Sequence, residues 1–151
     1  MRVCFVCLGN ICRSPTAEGI LRHLLKQAGR SDVTVESAGI INHHVGERPD
    51  PRTLAAAKRR GVALEARARH FVEAHLDDYD LVFALDETHL ARLQEMSAGR
   101  PRRAKLRLLR ELDPLAAGER NVPDPYYSDT QAFDDVYDMC LRACEALMLT
   151  L

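Results

Sequence analysis

The chain has 151 residues, of which 46% are hydrophobic, and its formal net charge is −1. This length and composition are typical of one compact domain, which we expect to span residues 1–151. The near-neutral charge excludes a general attraction to polyanions such as nucleic acid, and the lack of a long apolar run excludes insertion into a membrane as a helix.

The first predicted element is a buried strand, the apolar run 3–6. A helix is predicted downstream, because apolar residues recur at helical spacing over 17–28. Ser14 is expected to be the N-cap residue of this helix, and Pro15 suits its first turn. A short loop therefore leads from a strand end into a helix N-terminus, an arrangement that binds anions through backbone N–H groups.

Cys7 and Arg13 lie at the two ends of this loop. The planar guanidinium of Arg13 can bind two oxygens of a tetrahedral anion, and the same surroundings favour the thiolate form of Cys7. Such a thiolate would attack phosphorus and form a cysteinyl-phosphate. Ser14 could donate a hydrogen bond to the departing sulfur, and Asn10 tolerates left-handed backbone. Cys4, inside the strand, is better interpreted as a small buried hydrophobe.

Strands and helices alternate along the rest of the chain. This alternation predicts an α/β fold with a parallel sheet and helices on both faces, and ligands of such sheets bind at the carboxyl ends of strands. Gly61 is expected to end the second helix. The predicted strands cover 33–38, 80–85 and 105–109, and the predicted helices cover 51–60, a segment that begins at 86–88, and 131–149.

Asp124 is the candidate proton donor for a leaving phenolate, because two flanking prolines hold its backbone extended. Taken alone, an Asp-Pro pair is usually a solvated turn, so this interpretation depends on Cys7 upstream. Tyr126 and Tyr127 follow directly and could form one wall for a flat phenyl ring.

Segment 6–15, Val-Cys-Leu-Gly-Asn-Ile-Cys-Arg-Ser-Pro, resembles the phosphate-binding loop of the low-molecular-weight protein tyrosine phosphatases. Segment 124–127, Asp-Pro-Tyr-Tyr, is similar to the general-acid motif of that family. The resemblance covers nearly the whole chain. It implies a single Rossmann-like domain with a four-stranded parallel sheet, and a hydrolase that removes phosphate from phosphotyrosine through a cysteinyl-phosphate.

The resemblance implies a phosphotyrosine protein as substrate, with a tyrosine kinase among the candidates, inorganic phosphate as product and no cofactor. Cys7, Arg13 and Asp124 would be the catalytic residues. The phosphate-binding loop and its support would comprise Leu8, Gly9, Asn10, Ile11, Cys12, Ser14 and Ser37. The mouth of the substrate pocket would be formed by Ile11, His43, Tyr126 and Tyr127.

Two features of the sequence differ from what relatives or common sites show. Many relatives carry a His three residues before an Arg in the third segment, where this chain has Ala66 and Arg69, so the network that supports the loop is expected to be built differently. The adjacent His43 and His44 are not expected to bind metal, because no neighbouring cysteine or carboxylate cluster completes a site.

The five cysteines show no paired secretory pattern, which favours a reducing compartment and a cytoplasmic location. The resemblance implies that Cys12 could form a reversible disulfide with Cys7, and the equally weighted alternative is packing in the core. Cys140 and Cys144 fall on the apolar stripe of the last predicted helix, which favours packing.

The run from Arg100 to Arg110 is strongly basic. No aromatic residues are interleaved with it, as a single-stranded nucleic-acid surface would require, so a solvated edge strand is the favoured interpretation. Docking of an acidic phosphoprotein segment is a third possibility.

Three other functions compete with phosphotyrosine hydrolysis. Relatives that act on phosphoarginine tend to carry Thr where this chain has Ile11, whose apolar side chain favours an aryl ester. Arsenate reduction would need two further cysteines on a mobile segment, and residues 62–139 contain none. A catalytically inactive phosphate-binding module would lack the nucleophile or the acid, and this chain has both.

Overall fold

The computed structural model describes residues 1–151. None of its helices combines the length and the apolarity that crossing a membrane requires. Two short 3-10 helices, Glu73–Asp77 and Leu109–Leu112, interrupt the connections. The main elements are β1 (Arg2–Cys7), α1 (Arg13–Gln27), β2 (Thr34–Gly39), α2 (Pro51–Arg59), β3 (Leu81–Ala84), α3 (Glu87–Ser97), β4 (Lys105–Leu108) and α4 (Thr130–Met148).

The four strands form one parallel sheet in the order β2-β1-β3-β4. The predicted fold class, an α/β fold with a four-stranded parallel sheet, is therefore confirmed. β1 is an unbroken apolar run because it lies in the middle of the sheet with both faces covered. Its carboxyl end carries Cys7, which pairs in register with Gly39 at the end of β2.

Two apolar cores cover the two faces of the sheet. Val3 and Phe5 of β1 pack in the core that α1 and α4 close, whereas Cys4 and Val6 point into the core beneath α3. The larger core holds 22 buried residues and the smaller one 10. This packing confirms helices on both faces and fixes the end of β1 between them.

Side-chain caps begin three of the four helices. Asp50, Asp86 and Asp129 are the N-cap residues of α2, α3 and α4, and each carboxylate accepts a hydrogen bond from a backbone N–H of the first turn. α1 differs, because its N-cap residue is Cys12 and no side chain caps it. The prediction that Ser14 is the N-cap was wrong: Ser14 is the second residue of the helix, and its hydroxyl contacts Cys7 and Asn10 instead.

The basic run 100–110 does not form one solvated surface. Lys105 and Arg107 are exposed on the edge strand β4, as predicted. Arg102, however, is folded onto the protein between the carboxylates of Glu73 and Asp77, and Arg110 is buried against Asp113. Acidic partners neutralise much of this run, and those of Arg102 lie far away in the sequence, which is why the sequence alone overstated its exposure.

Candidate active site

The loop between β1 and α1 presents a row of unpaired amide groups. No backbone N–H of residues 8 to 14 donates a hydrogen bond within the protein. These groups lie between a strand end and the N-terminus of a 15-residue helix, where the helix dipole is positive. The loop passes so close to β2 that a Cβ at Gly39 would lie 2.8 Å from the Leu8 carbonyl oxygen. The arrangement is suited to hold a tetrahedral anion.

Cys7 lies beneath this loop and is only 3% exposed. Its Sγ is 2.9 Å from the Oγ of Ser14. The Ser14 hydroxyl oxygen already accepts a hydrogen bond from Asn10 Nδ2, 2.8 Å away. The hydroxyl proton of Ser14 is therefore free to point at the sulfur of Cys7.

Asn10 clamps the loop from inside. Its backbone is left-handed, with φ of 61°, a conformation that asparagine tolerates better than most residues. Its Nδ2 also donates to Ser37 Oγ at 2.9 Å, and its Oδ1 accepts from the backbone N–H of Arg69 at 2.9 Å. The loop is thus joined to β2 and to the segment after α2 by one buried side chain, and Ala66 takes no part.

Glu18 is the far end of the same network, and sequence analysis missed it. The Ser37 hydroxyl donates to Glu18 Oε1 at 2.5 Å, and Arg22 pairs with the other carboxylate oxygen at 3.1 Å. Burial raises the pKa of Glu18, and the Ser37 hydrogen bond and Arg22 oppose that rise. Its position one helical turn after Ser14 was a signal, because both residues face the loop from α1.

Arg13 is held from behind as a buried cation, 4% exposed. Its Nη1 donates to Asp86 Oδ2 at 2.8 Å and to the Val122 carbonyl at 3.0 Å. Burial alone would raise the pKa of Asp86, but hydrogen bonds from the His89 N–H and from Arg13 hold that pKa below its usual value. The sequence singled out Asp86 only as part of a helix start, so this second role was not predicted.

His89 packs beneath the pair formed by Arg13 and Asp86. Its Nδ1 is 3.1 Å from Asp86 Oδ1, and the ring is buried. Burial lowers the pKa of His89 to about 4, against the opposing effect of the Asp86 carboxylate. The imidazole is therefore neutral near pH 7. Arg13 is then the cation that pairs with the Asp86 carboxylate.

Asp124 stands at the opening of the site, with its side chain 46% exposed. Its Oδ1 accepts from the backbone N–H of Tyr126 at 3.1 Å, which fixes the turn after Pro123. Its Oδ2 is 3.9 Å from Arg13 Nη2. The carboxyl group therefore lies over the region where Arg13 would hold an anion.

The predicted catalytic and mouth residues and most of the predicted loop residues line one cavity of about 250 Å³, whereas Asn10, Ser14 and Ser37 are buried outside its lining. Tyr126 and Tyr127 form one wall, and Tyr127 is 94% exposed, so neither ring packs in the core. Arg52 fixes this wall by donating to the Tyr126 carbonyl at 3.0 Å. The lining residues are Cys7, Leu8, Gly9, Ile11, Cys12, Arg13, Ile41, His43, His44, Asp124, Tyr126 and Tyr127.

The opposite wall contains two histidines, of which His44 contacts the loop at Gly9. A Cβ at Gly9 would lie 2.9 Å from its ring, and its Nδ1 is hydrogen-bonded to Glu47. His43 stacks edge-on against His44, with ring centroids 4.7 Å apart. Sequence analysis named His43 for the mouth and missed His44 and Ile41, because spacing alone does not show which loop side chains point inward. The structure contains no group of three or more side chains arranged to hold a metal ion.

All five cysteines are free thiols. Cys12 packs with Ala56 and Phe133, and burial raises its pKa to about 12. A thiol in this environment is a poor partner for thiol exchange, which favours the packing interpretation of Cys12. Cys140 and Cys144 are fully buried on α4, as the apolar stripe predicted.

Comparisons with known proteins agree over the full length. The family model described as low molecular weight phosphotyrosine protein phosphatase matches residues 2–151. A low molecular weight protein-tyrosine-phosphatase of Streptomyces coelicolor is 43% identical over 149 residues, which are 97% of this chain and 91% of that protein.

Two solved structures are also similar to this chain. A protein tyrosine phosphatase from Entamoeba histolytica, with Hepes in its active site, has a TM-score of 0.93 at 30% identity, over 99% of this chain and 96% of that chain. DARP, a drosophila arginine phosphatase, has a TM-score of 0.93 at 31% identity, over 99% of this chain and 97% of that chain.

Proposed function

Because this chain belongs to the low molecular weight phosphotyrosine protein phosphatase family, a family of hydrolases, we propose that it hydrolyses phosphotyrosine in proteins through a phosphorylated Cys7. The observation that carries the proposal is the placement of the Cys7 sulfur beneath the unpaired N–H groups of residues 8 to 14, with Arg13 and Asp124 on the open side. Residues 1–151 act as a single phosphatase domain.

In the first step, the Cys7 thiolate attacks phosphorus and the bond between phosphorus and the phenolic oxygen breaks. The loop N–H groups and the Arg13 guanidinium stabilise the negative charge of the transferring phosphoryl group. Asp124, protonated in the complex, gives its proton to the leaving phenolate. Its exposed carboxyl, 3.9 Å from Arg13, is close to where that oxygen would emerge.

In the second step, water attacks phosphorus and the bond between sulfur and phosphorus breaks. Asp124 now accepts a proton of the attacking water, whose oxygen forms the new bond to phosphorus, and the electron pair of the broken bond stays on the sulfur as inorganic phosphate is released. Cys7 departs as a thiolate, which the Ser14 hydroxyl at 2.9 Å stabilises. The same carboxyl therefore serves as acid and then as base.

Phosphoarginine is the second candidate substrate, and one solved structure favours it: the similar DARP is a drosophila arginine phosphatase. Two features of this chain support phosphotyrosine instead. Ile11 gives the cavity an apolar lining, and the Tyr126 and Tyr127 rings form a wall that fits a flat phenyl group. An aryl ester buries more apolar surface against these groups than a phosphoguanidinium group does.

Arsenate reduction has less support. It requires thiols that can reach the nucleophile, and Cys140 and Cys144 are fully buried in a regular helix. Burial raises the pKa of Cys140 to about 12, which further disfavours its thiolate.

A panel of matched peptides tests the proposal. We expect the protein to release phosphate from a phosphotyrosine peptide faster than from the same peptide carrying phosphoarginine, phosphoserine or phosphothreonine. The Cys7→Ser variant is the control for contaminating activity. Faster turnover of the phosphoarginine peptide would show that phosphotyrosine is not the preferred substrate and would favour phosphoarginine instead.

A further inference from the structure

A second groove lies on the other side of one catalytic wall. Its cavity, about 650 Å³, lies between α2 and the extended segment 62–67, and none of its lining residues belongs to the catalytic cavity. Its apolar floor is formed by the half-buried Leu54, with Val62 and Leu64 almost fully buried beside it. Lys58 projects over the floor one helical turn after Leu54.

The backbone of this segment has the geometry of a free strand edge. Val62 and Leu64 are buried, whereas Ala63, Glu65 and Arg67 are exposed, which is the alternation of an extended chain. No backbone N–H or C=O group of residues 63 to 67 forms a hydrogen bond within the protein. Such an edge can pair with another extended polypeptide.

The rim of the groove carries uncompensated positive charge. Arg48, Lys58 and Arg67 line it together with one acidic residue, Glu65, and none of the four takes part in a salt bridge. Only three arginines of the chain lack a carboxylate partner, namely Arg48, Arg67 and Arg107, and two of them lie here. Because these cations have no carboxylate partner within the protein, they favour an acidic ligand.

Loop 42–48 separates this groove from the catalytic cavity. On the groove side, Arg67 Nη1 donates to the Gly46 carbonyl at 3.1 Å, and Gly46 N–H donates to the Ala68 carbonyl at 2.9 Å. On the other side, His43 and His44 line the catalytic cavity. A chain that leaves the cavity over this loop therefore meets the groove, since an extended peptide advances about 3.3 Å per residue.

We propose that this groove binds the polypeptide that flanks the phosphotyrosine of a protein substrate, as an extended segment whose apolar side chains contact the floor and whose acidic side chains contact the cationic rim. The inference rests on the proposed function, because it assigns a docking surface to the same substrate. It makes Lys58 and its neighbours specificity-determining residues with no part in the chemical step.

Lys58→Glu is the test variant, because this side chain is exposed and forms no hydrogen bond or salt bridge within the protein. Arg107→Glu is the matched control: it makes the same charge change at an unpaired arginine on the edge strand β4, outside the groove. The substrates are three phosphotyrosine peptides of equal length. One carries alternating Asp and Leu before the phosphotyrosine, one carries them after it, and one has neutral Ser and Gly flanks.

We expect one of the two acidic peptides to be hydrolysed with a kcat/KM about three- to tenfold above that of the neutral peptide. Lys58→Glu should remove this preference through KM, with kcat unchanged, and Arg107→Glu should keep it. All three proteins should hydrolyse a small aryl phosphate equally. The preference should also fall in high salt, because an exposed charge contact is screened.

Equal kcat/KM for the three peptides in the wild-type protein would overturn the inference while leaving phosphotyrosine hydrolysis intact. Equal losses in Lys58→Glu and Arg107→Glu would overturn it too, because they would reflect net charge alone. If sedimentation showed self-association that Lys58→Glu abolishes, the groove would belong to a second copy of the chain and the inference would be wrong. Absence of turnover on every phosphotyrosine substrate would instead reject the proposed function.

Discussion

At the level of single residues, the proposed chemistry depends on the Cys7 sulfur and the Ser14 hydroxyl, which lie 2.9 Å apart. We expect Cys7→Ser to abolish turnover, because a serine hydroxyl in this position is a far weaker nucleophile than a thiolate. Binding of phosphate should persist, since the loop N–H groups and Arg13 are unchanged. Calorimetric titration with inorganic phosphate measures the second point, and a loss of binding that accompanies the loss of activity would count against the proposed division of roles.

Asp124 allows a sharper test, because a proton donor matters only when the leaving group needs a proton. Asp124→Ala should slow hydrolysis of a phosphotyrosine peptide by about 100- to 10,000-fold. The same variant should slow hydrolysis of an aryl phosphate much less when the leaving phenol is strongly acidic, because that phenolate leaves without a proton. Steady-state kinetics on both substrates would reveal the difference, and Asp135→Ala, an exposed carboxylate on α4, is the control. Equal losses on the two substrates would contradict the acid role.

At the level of the elements, the loop between β1 and α1 keeps its shape through Asn10. Asn10→Ala removes its three hydrogen bonds, two of them buried and one partly buried, and should lower the free energy of unfolding by about 2–3 kcal/mol and reduce kcat. Asn10→Gly loses the same bonds but adopts φ of 61° without strain, so it should be about 1 kcal/mol more stable than Asn10→Ala. Urea denaturation measures both, and equal stabilities would show that the left-handed backbone carries no strain.

Elements were easier to predict than the contacts between them. Apolar runs and helical spacing located every strand and main helix, because those patterns are local. Contacts between elements are not visible in such local patterns, as Ser14 illustrates. Its sequence position fits an N-cap, but in the folded chain its hydroxyl contacts Cys7 and Asn10 instead. Asp86 and Glu18 support Arg13 and Ser37 across long sequence separations, so only the folded chain brings them together.

At the scale of the whole molecule, His89 links the site to stability in acid. Burial lowers its pKa to about 4 in the folded protein, against an ordinary value of 6.5. Between these two values the unfolded chain binds a proton that the folded chain does not, so stability falls as the pH drops from 6.5 to about 4. The loss from this group would be about 3 kcal/mol, with no further change below pH 4.

His89→Asn should flatten this part of the stability curve, because asparagine does not titrate. Chemical denaturation at several pH values measures the slope, and His43→Asn, an exposed histidine, should leave it unchanged. The pKa of His89 also depends on the charges of Asp86, Arg13 and Asp124. The test therefore compares the slopes of unfolding free energy against pH in the two variants, not their absolute stabilities. An unaltered slope in His89→Asn would mean that the acid sensitivity arises elsewhere.

In the proposed mechanism, a phosphoryl group passes through the sulfur of Cys7. The most direct measurement of this transfer is mass spectrometry of the protein denatured rapidly during turnover of a phosphotyrosine peptide. We expect one phosphoryl group on the proteolytic fragment that contains Cys7, and none on that fragment from Cys7→Ser. A phosphoryl group on any other residue, or normal turnover without a phosphorylated protein, would contradict it.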